Sequence, residues 1–169
     1  MAQEVRPSAD RLETLLAFET LLADLSSRFI NVPPGEVDRE VEDALRRVSE
    51  FLAVDLAVLW QWSRVAPAAA TRTHVYYARE DSRSPEPFRQ DHFPWVAQEL
   101  LAGRTVAMSS LPEGLPPEAA VDREACRRFG IKSNLTFPLS LGGEPPVGAL
   151  SFNCLGAERD WSDALVTRL

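Results

Sequence analysis

At 169 residues, with 45% of them hydrophobic and 25% charged, the chain can bury one sizeable core and is too apolar to be disordered at large scale. A net charge of −7 gives no overall positive field to gather phosphates, and the basic doublets Arg46-Arg47 and Arg127-Arg128 lie among carboxylates, which argues against a nucleic-acid partner. No apolar run is long enough to cross a bilayer, and the start, Met-Ala-Gln-Glu-Val-Arg-Pro-Ser, lacks the basic and then apolar regions of a signal peptide, so the expectation is a soluble, cytoplasmic protein with no membrane partner.

From Ser8 to Ile30 the apolar residues recur at helical spacing, with Ser8 or Asp10 as N-cap. The stripe is broad. Leu12, Leu15 and Leu22 offer more apolar surface than one contact with a sheet hides, which points to a second partner, another copy of the same helix. Pro33-Pro34-Gly35 stops this helix, and a second follows in which Val37, Val41, Ala44, Leu45, Val48, Phe51 and Leu52 oppose a charged face. Asp55 to Trp62 is apolar at both parities as far as Trp60, the pattern of a strand covered on both sides. Ser63 to Arg72 reads as a loop, and Thr73 to Ala78 as the returning strand.

Asp81 to Asp91, with Pro85 and Pro87 among charges, reads as another loop. Phe93-Pro94-Trp95 opens a short helix that Gly103 closes. A short extended piece, Thr105 to Met108, precedes a proline-rich loop and a helix from Pro117 to Phe129 closed by Gly130. Then comes a hairpin. Gly142-Gly143 accepts positive φ and sits between two runs of apolar alternation. Any even-length loop there puts Leu135 and Phe137 on one face with Leu150 and Phe152, and Asn134 and Thr136 on the other with Ala149, Ser151 and Asn153. The first face needs a cover; the second is either a cavity floor or turned to solvent. Trp161 to Leu169 is amphipathic and helical, with the pattern still running at Leu169.

Gly130-Ile131-Lys132-Ser133, Pro138-Leu139, Gly142-Gly143 and Val147-Gly148-Ala149-Leu150-Ser151-Phe152, with Val48 to Asp55 and the Phe93-Pro94-Trp95 helix upstream, carry a likeness over nearly the whole chain. In these segments and their order the chain resembles the GAF domain, a small-molecule sensor module of signalling proteins. The resemblance implies an α+β fold: a central antiparallel β-sheet of about five to six strands, long terminal helices on one face, shorter helices over a pocket on the other. It implies a single sensory domain over 1–169, with an N-terminal helix at 8–31 and the start of a C-terminal connecting helix at 161–169. The owner it most resembles is a bacterial sensor histidine kinase of a two-component system.

On that reading the pocket's candidate ligand residues are Trp60, Tyr76, Phe93, Trp95, Asn134, Thr136, Ser151 and Asn153, for an unidentified small molecule. The candidate homodimer interface is Leu12, Leu15, Leu22, Trp161 and Leu165 on the terminal helices. Family members bind bilins, haem or cyclic nucleotides, or reduce methionine sulfoxide, and the residues match none of these types, so the cofactor stays unknown. Cys126 and Cys154 lack Cys-x-x-Cys spacing and read as ordinary buried residues, and His74 and His92 share no element, so no metal site is expected. No nucleophile and base are grouped, so no catalytic residue is expected. The alternatives are a stand-alone enzyme of the same fold, such as a free methionine sulfoxide reductase, and a ligand-free dimerisation module.

Overall fold

The computed structural model describes residues 9–63, 69–80 and 89–167. The expected cap at Ser8, much of the loops after Trp62 and Glu80, and the last two residues of the expected C-terminal helix lie outside the described residues.

Helix α1 (Ala9–Ile30) is followed by a 3-10 turn at Pro34–Glu36 and helix α2 (Val37–Leu52). Ala53, at φ 50°, takes the left-handed conformation that closes α2. Strands β1 (Leu56–Trp62) and β2 (Ala70–Tyr77) form the first hairpin. A 3-10 turn at Gln90–His92 leads into α3 (Pro94–Leu101), then β3 (Val106–Met108), α4 (Ala120–Phe129), β4 (Ser133–Leu139), β5 (Gly148–Cys154) and α5 (Asp163–Val166). The sheet has five strands in the order β2-β1-β5-β4-β3, and all four pairings are antiparallel.

The hairpin faces follow from the register. Leu135 pairs with Phe152 and Phe137 with Leu150, while Asn134 pairs with Asn153 and Thr136 with Ser151, so apolar and polar pairs alternate in and out of the sheet. Gly142 and Gly143, at φ 58° and 83°, make the left-handed turn. Gly148 answers a different need: a Cβ there would lie 2.3 Å from the carbonyl oxygen of Trp60, so the close approach of β5 to β1 requires its absence.

The apolar face packs under α1 and α2. Leu45, Val48 and Leu52 of α2 bury against Ala57, Leu135 and Phe152, and Leu25 of α1 joins the same cluster. Phe18 of α1 stacks on Phe51 of α2 at 5.1 Å between ring centres. Alongside them runs a latch of ion pairs: Arg47 to Asp24 at 2.7 Å, and Arg28 to Asp43 at 3.3 Å and to Glu40 at 3.5 Å. The far side of α1 is open, with Leu12, Leu16 and Ile30 exposed by 49%, 63% and 79%.

Trp161 departs from expectation. It is buried in the α2-side cluster, its indole Nε1 donates to the Met108 carbonyl at 3.3 Å, and the Arg159 guanidinium lies over its ring at 5.1 Å. It therefore ties the chain after β5 back to β3 and has no surface to offer a partner. Leu165 is half-buried against the same cluster, and Leu15 and Leu22 of α1 are half-buried too, so Leu12 is the expected interface residue with a largely free side chain.

Candidate functional site

The opposite face of the sheet is roofed by α3 and α4. Between roof and sheet lies an apolar cavity of about 70 Å³, walled by Trp60 and Trp62 of β1, Phe93, Ala97 and Leu100 of the α3 segment, and Cys126 of α4, with Asn134 on its floor. Beyond the cavity a wider groove runs along α3 and the start of β2, and Trp60, Ala70, Gln90 and Ala97 line both spaces. At that boundary the Ala70 backbone N–H donates to the Gln90 side-chain oxygen, which ties the edge strand to the turn before α3.

The polar side chains of the floor are bonded to one another. Asn134 Nδ2 donates to Asn153 Oδ1 at 2.8 Å, Thr136 Oγ1 donates to Asn134 Oδ1 at 3.0 Å, and the hydroxyls of Thr136 and Ser151 are bonded to each other. Each of these bonds spares its partners the penalty of about 1–3 kcal/mol that an unpaired buried group would carry. Thr136, Ser151 and Asn153 are buried beneath the cavity, and of the four Asn134 reaches its wall.

The roof is pinned by one acid. Asp122 of α4 is fully buried, and its Oδ2 and Oδ1 accept the backbone N–H groups of Trp95 and Val96 at 3.1 and 3.0 Å. Pro94 opens α3 without an N–H, and the Ala97 N–H reaches the Phe93 carbonyl, so this carboxylate completes the first turn of α3 from another helix. Burial pushes the Asp122 carboxyl above its ordinary value, against the opposing pull of those two N–H groups.

A family model for the GAF domain matches residues 36–169. The chain belongs to the GAF family. No curated protein sequence matches it. Among solved structures, it is similar to the phycocyanobilin-bound GAF domain of a cyanobacterial phytochrome, with TM-score 0.70 and 15% identity over 88% of this chain and 85% of that one. A GAF domain from Synechocystis in its photoproduct state gives TM-score 0.60 and 20% identity over 80% and 85%. The blue-light absorbing form of the PixJ GAF domain from Thermosynechococcus elongatus gives 0.54 and 16% over 88% and 80%. At these identities the likeness is one of fold.

Within this GAF fold the expected ligand residues divide. Trp60, Phe93 and Asn134 meet at the cavity, whereas Tyr76 lies on the other face, against the cluster under α2. Trp95 packs its ring beside the cluster around Leu56 and Val58 and contributes its backbone N–H to the Asp122 pin. Sequence reasoning missed Trp62, Asp122 and Cys126. Each carried a signal: Trp62 shares the parity of Trp60, and Ala119, Asp122, Cys126 and Phe129 follow one another at helical spacing, an acid inside an apolar stripe.

The two cysteines are both free and buried but belong to different apolar clusters, Cys126 under the roof and Cys154 under α2, so the sheet separates them. Burial pushes the Cys126 thiol up to about 12, which leaves it protonated and a poor nucleophile at neutral pH. His74 Nε2 lies 3.3 Å from Asp38 near α2, and the His92 ring lies 5.1 Å from that of Phe129, so the histidines are also apart. No helix among the described residues is long and apolar enough to cross a membrane.

Proposed function

We propose that this GAF domain is a small-molecule-binding sensory module of a cytoplasmic signalling protein, a sensor histidine kinase of a two-component system in the reading the sequence favours. The observation that carries it is the apolar cavity between the α3–α4 roof and the sheet with Asn134 on its floor, the form of site in which a few placed polar groups orient a ligand. The domain is not read as an enzyme, because the thiol at the cavity is held protonated and no base is hydrogen-bonded to it among the described residues. A phytochrome relative holds phycocyanobilin. In this chain a cavity of about 70 Å³ favours a far smaller ligand than a tetrapyrrole.

Mass spectrometry of the protein released from native purification is expected to show a co-purifying small molecule. An Ala97→Leu variant, which puts an isobutyl group into the cavity, is expected to lose it while keeping its melting temperature. The same molecule on both proteins, or none on the wild type, overturns the reading. The small volume favours one other reading, a ligand-free dimerisation module, and the same spectrum separates the two.

Homodimerisation through α1 belongs to this reading. Leu12 and Leu16 are exposed on the side of α1 away from α2, and apolar surface of that kind marks interfaces. Sedimentation is expected to give a dimer for the wild type and a monomer for Leu12→Glu with Leu16→Glu, the fold being unchanged in both. A wild-type monomer at tens of micromolar, where weak interfaces commonly lie, would speak against it.

A further inference from the structure

Among the described residues of the cavity wall, one strong donor goes unused. Trp62 is 7% exposed, and its indole Nε1 is enclosed with no hydrogen-bond partner. The other polar side chains that line the cavity are engaged: Asp122 by the N–H groups of α3, Asn134 by Asn153 and Thr136, Gln90 by Ala70. An anion would find no lysine or arginine among the described lining residues and would face the Asp122 carboxyl. A further donor would find no free acceptor of comparable strength. What the site lacks is an acceptor without charge.

We propose that the cavity takes a small neutral organic molecule with one hydrogen-bond acceptor, a ketone, ester or ether, whose oxygen is held by Trp62 Nε1. This rests on the reading of the cavity as a ligand site and gives that ligand its chemistry. Size sets the limit: an apolar cavity of about 150 Å³ takes benzene, and this one, at about 70 Å³, holds a few heavy atoms and opens past Trp60 and Ala97 to the groove along α3, into which a short chain can extend.

The test uses butanone and its isostere 2-methyl-1-butene, which replaces the carbonyl oxygen with a methylene, titrated into nitrogen-15-labelled protein. The chain has four tryptophans, so the Trp62 indole signal is assigned by its loss in Trp62→Phe or, if that variant misfolds, by its proximity to Leu100 and Ala149 in the wild type. Butanone is expected to move the Trp62 indole proton downfield and to bind Trp62→Phe about tenfold more weakly, the equivalent of one net hydrogen bond. The alkene is expected to leave that proton in place and to bind both proteins alike. If the alkene binds as tightly as the ketone, or the ketone shifts other cavity signals but not that indole, the acceptor inference falls and the cavity reading survives. Tighter binding of butyrate than of butanone overturns the neutral-ligand assignment. If no probe perturbs any cavity signal, both the inference and the reading beneath it fail.

Discussion

Replacing Asp122 with alanine is expected to lower the stability of the domain by about 3 kcal/mol, because it strips two buried backbone N–H groups of their charged acceptor and opens a void in the roof. The damage should be local. Chemical unfolding measures the loss, and hydrogen exchange should show it concentrated at Trp95 and Val96, with β4 and β5 still protected. Asp122→Asn keeps one acceptor oxygen and should lose about half as much. If alanine costs no more than asparagine, the carboxylate is not what holds α3.

The same carboxyl gives a pH dependence whose sign follows from its burial. Its folded pKa lies above the ordinary 3.8, so the native state binds its proton more readily than the unfolded chain does. The stability linked to this group is complete below about that ordinary value and declines as pH rises through the raised one. Asp43, held down chiefly by its hydrogen bond to Arg46, acts in the opposite sense and is common to both proteins. The difference in melting temperature between wild type and Asp122→Asn should therefore shrink or reverse as pH rises through that window. A constant difference would mean that Asp122 does not titrate there.

Phe152→Ala is expected to cost more, about 3–5 kcal/mol, since the ring is fully buried against Leu52 and Leu135 and its removal leaves a void that the strands cannot close. For a domain of this size each kcal/mol moves the melting temperature by roughly 2–4 °C. Phe152 faces away from the cavity. Affinity for butanone per folded molecule should accordingly stay as in the wild type, whereas Asp122→Ala should weaken it by loosening the cavity's own roof. Equal loss of affinity in both variants would show that the two faces of the sheet are not separable.

How far the sequence could be read depended on which rule governed each residue. The β4–β5 hairpin was legible because a glycine pair and strict alternation left one register that buries Leu135, Phe137 and Phe152 together. Tyr76 was misplaced for a reason no alternation reveals. The β1–β2 register slips between Leu59 and Trp60: Leu59 pairs with His74, Trp60 with Arg72, and Thr73 is left over. Read from the Trp60 end, even-numbered residues of β2 share its face; across the slip they do not, and Tyr76 lies beyond it. Trp161 was misread because an apolar excess in sequence looks the same whether it awaits a partner or folds back on its own chain. Asp122 was passed over because an acid on a helix is ordinarily on the wet side, and nothing local shows that α3 brings two free N–H groups to it.

The attachment of α1 has a consequence for how a message could leave the domain. Ion pairs near the surface such as Arg28 with Asp43 are worth about 0–1 kcal/mol and weaken as salt rises, so the grip of α1 on the body rests chiefly on the buried side chains of Phe18 and Leu25. Opening the seam between α1 and α2 would part these side chains and spare the strand pairings of the sheet. The part best placed to report outward can change position without disturbing the part that would sense.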